Sequence, residues 1–320
     1  MKIAVAGAGG FIGGHLVKRL LDEDHEVWSA DIKPLDQWYQ IHNNSTNYHS
    51  LDLKDYDACE TLVKDCERVY NLAADMGGMG FIASHRIDCM ESVLITTNVL
   101  RAAHRASVGQ VFYASSACVY PDFLQREEIV SLKEEDAWPA DPEPGYGMEK
   151  LFGEEIAKFY RQETDLRTVV ARFHNIMGTH GTYDGGREKA PAAICRKVAE
   201  AKLSGKREIE IWGDGEQTRS FLYVDECLEG IHRMMEADSP EPLNLGSDEL
   251  VSINQLVSMV EDIADIELER SYNLDAPQGV RGRNSDNEKI KEVLGWAPST
   301  RLYDGLEKIY NWIYQELSSK

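Results

Sequence analysis

The chain opens MKIAVAGAGGFIG, a short apolar, β-favouring run set directly against glycines that include Gly7, Gly10 and Gly13 in GxxGxxG spacing, and followed by an amphipathic helical pattern, FIGGHLVKRLLDE. A strand that turns this abruptly into a helix commits the chain to an α/β unit, because the turn lays the helix N-terminus beside the carboxyl end of the strand. Glycine serves the turn twice, allowing a tight backbone and letting a pyrophosphate approach the N–H groups of the helix N-terminus. The next strand pattern, HEVWSAD, ends in Asp31, where a carboxylate can accept hydrogen bonds from an adenosine ribose and would repel a 2′-phosphate. The expected cofactor is therefore NAD, although Lys33 leaves an opening for NADP. Asp52, in LDL after a third strand pattern, is placed to approach the adenine.

The alternation continues through YHSLDL, RVYNLAA, QVFYASS and LRTVVARF, with helical spacing between them. Residues from Met79 to Ala106 contain few breakers and predict one long helix, and another helix begins near Tyr146. The fold class expected is α/β, a Rossmann-type doubly wound parallel sheet with a smaller C-terminal α/β substrate domain. The boundary is set at 1–175 and 176–320, with chain crossings between the two parts and a cleft at their junction. Within the second part a helix is expected over 190–203, with short strands near EIEIWG and SFLYV.

Charge narrows the partners. The 320 residues include 55 acidic against 34 basic ones, a formal charge of −21 without a basic arm or stripe, so nucleic acid and anionic membranes are poor partners. An anionic substrate would have to be held by a local cluster of cations. The first apolar run is too short for a signal peptide and no stretch approaches the ~20 apolar residues that span a bilayer, which predicts a cytoplasmic protein. The six cysteines show no CxxC spacing, so neither zinc nor a disulfide framework is indicated and no other cluster suggests a metal.

Two stretches carry chemistry. In YGMEK, Tyr146 and Lys150 share one helix face, so an ammonium can stand near the phenol and favour phenolate, letting the tyrosine take a hydroxyl proton as hydride leaves for nicotinamide. In YASSACVY, the strand end offers Ser115 or Ser116 to bond the same hydroxyl, followed at once by Cys118.

Together these pieces resemble the extended short-chain dehydrogenase/reductase family of nucleotide-sugar enzymes, over essentially the whole chain. Membership implies an NAD site at Gly7, Gly10, Phe11, Ile12, Gly13, Asp31, Asp52, Leu72, Ala73, Ala74, Tyr146 and Lys150, with Ser116 as Tyr146's partner. It also implies a homodimer built on two helices per subunit, here Met79 to Ala106 and the helix containing Tyr146. The segments NLAADMGGMGF, YASSAC, SLKEEDAWPA, RFHNIMG, GGREKAPAAICRK, WGDGEQTRSF and GVRGRNSDN are similar, more narrowly, to the branch of that family that inverts GDP-mannose at carbons 3 and 5.

That narrower resemblance implies that Cys118 and Lys189 act as base and acid on a 4-keto sugar. It also implies that Gly77, Gly78, Ser116, Ala117, Cys118, Asn175, Glu188, Lys189, Ala190, Lys197, Gln217, Thr218, Arg219, Arg281 and Arg283 line the nucleotide-sugar site. His174 is read as packed. A 4-epimerase would have no use for Cys118 and Lys189, a 4,6-dehydratase would carry Asp-Glu where this chain has Ala117-Cys118, and a non-catalytic sensor would be expected to have lost part of the set.

Overall fold

The computed structural model describes residues 1–42, 47–125, 131–276 and 279–319. The strands β1 (Lys2–Ala6), β2 (Glu26–Asp31), β3 (Asn47–Ser50), β4 (Arg68–Asn71), β5 (Gln110–Ser116) and β7 (Arg167–Phe173) form one parallel sheet with β12 (Leu243–Leu245). Its order is β12-β7-β5-β4-β1-β2-β3. Alternate residues of each strand feed opposite layers: Ile3 and Val5 enter one apolar core, Ala4 and Ala6 the other. The same period recurs in β5, where Phe112 and Ala114 face the first core and Val111 and Tyr113 the second. Helices cover both faces. On one side lie α1 (Phe11–Asp22) and α7 (Val224–Ala237); on the other α2 (Tyr56–Val63), α4 (Arg86–Arg105) and α5 (Tyr146–Glu163).

Strand order reverses between β1 and β4, so their carboxyl ends part around a crevice. Over that crevice stands the rest of the chain. A four-stranded sheet runs β13-β10-β15-β6, from β6 (Ser131–Leu132), β10 (Thr218–Ser220), β13 (Leu250–Ser252) and β15 (Gly282–Ser285). Two ribbons, β8 (Ile176–Met177) with β11 (Leu222–Tyr223) and β9 (Glu208–Trp212) with β14 (Glu269–Asn273), complete the pairing. Helices α6 (Ala190–Ser204), α8 (Ile253–Ala264) and α10 (Leu302–Ser318) pack together, and α9 (Glu288–Leu294) closes against β12. Crossings run both ways: β12 returns to the first sheet, while β6 joins the second.

The single helix expected from Met79 to Ala106 is two helices, α3 (Met79–Ser84) and α4. At His85 the backbone leaves helical values, with φ −124° and ψ 46°. Side chains compete for the carbonyls there: Ser84 Oγ donates to Gly80 O at 2.7 Å, and His85 Nδ1 lies 3.1 Å from Phe81 O, which also accepts from His85 N at 2.9 Å, with the His85 ring stacked on Phe81. Such local side-chain bonds compete with the helical ladder.

Candidate active site

A cavity of about 1090 Å³ occupies the crevice, reaching from the glycine turn to α6 and β9. Its floor begins where β1 ends. Gly7 has φ +81°, and a Cβ on it would stand 2.9 Å from the Ala73 nitrogen; a Cβ on Gly13 would strike the Gly7 carbonyl. The turn is pinned by Gly7 N–H donating to Ala30 O at 2.8 Å. No side chain caps α1 at Gly10, so the first N–H groups of the helix, at Phe11 and Ile12, face the cavity. Asp31 and Asp52 line it further out, and Leu72, Ala73 and Ala74 line it below. Asp31 Oδ1 accepts from Lys33 N at 3.0 Å, while Lys33 Nζ is turned back to donate to Gly9 O at 2.8 Å.

The chemistry-bearing wall is the end of β5 and the first turns of α5. Ser115 Oγ, also at the cavity wall, donates to Glu154, leaving Ser116 to act on the Tyr146 phenol. Ser116 Oγ also accepts from Cys118 N at 3.2 Å and so fixes the turn that presents the thiol. Lys150 Nζ stands 5.5 Å from the Tyr146 ring centroid and 5.1 Å from that of Tyr113. Its near anion is Glu149, whose Oε2 is 3.4 Å away and which is fully buried. Burial holds the Tyr146 phenol well above its ordinary range, the Cys118 thiol and the Glu149 carboxylate push the same way, and the Ser116 hydrogen bond opposes them. The expected drive of Lys150 toward phenolate is thus outweighed in the protein alone, because desolvation penalises the charged form of a buried phenol.

Lys189 immediately precedes the first turn of α6 and lines the same cavity. Burial lowers its pKa, the nearby Cys118 and Cys227 raise it, and Arg283 lowers it again; Lys189 and Cys118 feel one another across the same space. Arg283 Nη1 donates to Cys118 Sγ at 3.4 Å. Arg219 donates to Thr218 O and Val280 O at 2.7 and 2.6 Å, and burial together with Arg283 disfavours its cationic form, a cost that an incoming anion relieves. Asn175, Lys197, Gln217, Glu188, Ala190, Gly77 and Gly78 complete the lining.

Three expected contacts fall outside that lining. Ala117 packs with Val119 and Leu132 behind the turn, Thr218 lies in β10 beside Gly282, and Arg281 pairs with Asp214 at 2.9 Å on the surface. His174 is fully buried, with Nε2 2.9 Å from Asn244 Oδ1. Glu149 and Arg187, both near the reacting end, were missed: each stands in a motif already quoted, and Glu149's signal was its i+3 spacing from Tyr146.

Residues 3–246 match the model of the NAD dependent epimerase/dehydratase family. The chain belongs to that family. Among curated relatives of this epimerase/dehydratase, GDP-mannose 3,5-epimerase 1 of Oryza sativa subsp. indica is 47% identical over 100% of this chain and 83% of its own length. The GDP-mannose 3,5-epimerase of Arabidopsis thaliana is 46% identical over 100% of this chain and 84% of its own. Of solved structures, the UDP-glucose 4-epimerase of Thermotoga maritima with UDP-glucose shares the fold at TM-score 0.89 and 23% identity, covering 99% of this chain and all, 100%, of that one. MoeE5 in complex with UDP-glucose and NAD has TM-score 0.81 and 27% identity over 99% of this chain and 100% of its own. The NAD of this epimerase/dehydratase family fits the residues present: an uncapped helix N-terminus above glycines that admit no Cβ, with a buried carboxylate at Asp31.

Proposed function

We propose that the chain epimerises GDP-mannose at carbons 3 and 5, giving GDP-L-galactose and GDP-L-gulose, by a transient 4-ketone. The observation that carries the reading is the placing of Cys118 and Lys189 in one cavity with Ser116, Tyr146 and Lys150, together with the names of the relatives.

When bound, NAD would supply a hydride acceptor for carbon 4 and, once reduced, a hydride donor to the same carbon. Ser116 and Tyr146 hold the 4-hydroxyl; Tyr146 takes its proton as the C–H bond is lost and returns it when that bond is remade, with Lys150 steadying the phenolate. The ketone acidifies the hydrogens on carbons 3 and 5. Cys118 removes one of these as a proton, and Lys189 delivers a proton to the opposite face of the ring, inverting the centre. Cys118 then gives its proton to solvent and Lys189 takes one from it, so redox and proton counts close over the cycle and no net oxidation results.

Asn175, Lys197, Gln217, Arg219 and Arg283 hold the nucleotide diphosphate, the two arginines offering planar forks to phosphate oxygens. Gly77, Gly78, Glu188 and Ala190 border the hexose. The first sheet carries the cofactor and the second the nucleotide sugar.

The working unit is a homodimer through α4 and α5, which lie side by side. Ile87, Met90 and Leu94 on one and Met148, Phe152 and Phe159 on the other leave an exposed apolar stripe at helical spacing. Leu94→Asp should yield monomer in sedimentation where the parent is a dimer; an unchanged dimer mass would sink this interface, and a monomeric parent the dimer itself. A reducing, cytoplasmic setting accords with six unpaired cysteines.

The test is proton NMR of GDP-mannose in deuterium oxide with the purified protein and no added NAD. Deuterium at carbons 3 and 5 with galactose-type and gulose-type products, lost in Cys118→Ala, is the expected result. Turnover of another nucleotide sugar with no exchange here would overturn the substrate; exchange undiminished in Cys118→Ala would remove Cys118 from its role.

A further inference from the structure

The arm that carries Lys189 to the cavity contains Gly185 and Gly186, with φ +94° and +88° and open space where side chains would stand. Two glycines in such a conformation give an arm little stiffness of its own. Its far end is fixed by α6, where Lys189 O accepts from Ala193 N at 3.0 Å. Its near end is held by Arg187. That guanidinium donates from Nη1 to Asp75 Oδ1 at 2.7 Å and to Met76 O at 3.3 Å, and it lies 3.8 Å from the Phe81 ring centroid. The main chain joins in, with Gly78 N donating to Arg187 O at 3.1 Å. A Cβ at Gly78 would stand 2.5 Å from Glu188 O, so the two segments meet as closely as glycine permits.

We propose that Arg187 is a positioning residue for Lys189: it latches the glycine arm to the segment from Asp75 to Phe81 and so sets where the Lys189 ammonium stands over the hexose. This rests on the epimerase reading above. Arg187 itself transfers no proton. A lone half-exposed ion pair holds little, but a carboxylate, a carbonyl and a ring face converge here on one guanidinium, and a main-chain bond from Gly78 joins the same residue. Proton delivery tolerates small misplacement poorly, so the latch bears on the step at carbons 3 and 5 and leaves the step at carbon 4 alone.

Arg187→Ala should lower deuterium incorporation at carbons 3 and 5 by about tenfold or more, while the bound nicotinamide is reduced on mixing with GDP-mannose as fast as in the parent. Asp75→Asn should reproduce the defect, and Arg187→Lys, which keeps the charge but loses the flat stacking, should recover part of it. In the absence of substrate, amide hydrogen exchange at Gly78 and through residues 184–189 should quicken by about tenfold in Arg187→Ala. Equal slowing of both chemical steps, or a rise in KM alone, would show that Arg187 binds substrate and would overturn the proposal, as would unchanged exchange at Gly78. Should the parent fail to turn over GDP-mannose, the epimerase reading falls, and amide exchange still decides the latch.

Discussion

Arg283 donates to the sulfur of Cys118 across 3.4 Å, joining β15 of the second sheet to the turn that follows β5 of the first. Both side chains are buried, so the thiol cannot swing freely. The direction in which its sulfur faces the cavity is set by a residue from the other half of the chain. Cys118→Ser keeps the shape and removes the better base. Deuterium incorporation at carbons 3 and 5 should fall by about 100-fold or more, with reduction of bound nicotinamide by substrate preserved. Loss of both together would instead place Cys118 in binding.

Burial is the main cause that raises the pKa of Tyr146, Cys118 follows, and Glu149 adds to both from within the same helix, with Ser116 opposing and Cys89 adding least. Removing the Glu149 charge therefore makes the phenol easier to ionise. Glu149→Gln, which keeps the reach toward Tyr113, should shift the acid limb of the kcat profile to lower pH. Movement to higher pH would mean that the carboxylate acts chiefly by keeping Lys150 protonated.

Behind Ser116 lies a buried ion pair, Arg172 with Glu154, 2.7 Å apart, with Ser115 on the same carboxylate and Tyr120 on the same guanidinium at 3.2 Å. Removing one partner leaves the other charged and desolvated, a loss of about 3–5 kcal/mol. Arg172→Met should lower the urea midpoint accordingly. The double variant with Glu154→Leu should regain much of that loss, and simple additivity of the two would show that the pair is not coupled.

His174 is held neutral: burial lowers its pKa from 6.5 to about 3, partly offset by Asn244. The unfolded chain takes up this proton as pH falls below 6.5 and the folded one does not. Its contribution is present above that pH and lost toward about 3, at about 1.4 kcal/mol per pH unit at most. Urea midpoints measured at about pH 7 and about pH 5 should differ more for the parent than for His174→Gln; equal differences would exclude His174 as the source.

How much of this was legible depends on the range of the signals. The strands of the first sheet could be read because each carries its own period, as Ile3 and Val5 against Ala4 and Ala6 show. β12 could not, because three residues, Leu243–Leu245, carry no period, and their partner is β7, far back in the chain. The break at His85 has neither proline nor glycine to mark it; it arises from where Ser84 and His85 send their side chains. Arg281 and Arg283 stand two residues apart and both carry the charge a diphosphate wants, but only Arg283 lies within β15, which begins at Gly282, and Arg281 before it is drawn off by Asp214. Arg187 reads in sequence as a solvated charge in a glycine-rich loop, since the carboxylate and ring that receive it come from more than a hundred positions away.

The return of β12 to the edge of β7 also sets a timetable for synthesis. A chain emerging from the ribosome can assemble six strands of its first sheet early, but the outer edge of β7 stays bare until residues 243–245 arrive. An unfinished chain of this kind presents an open strand to its neighbours, so translation that stalls between residues 173 and 243 should leave aggregation-prone products.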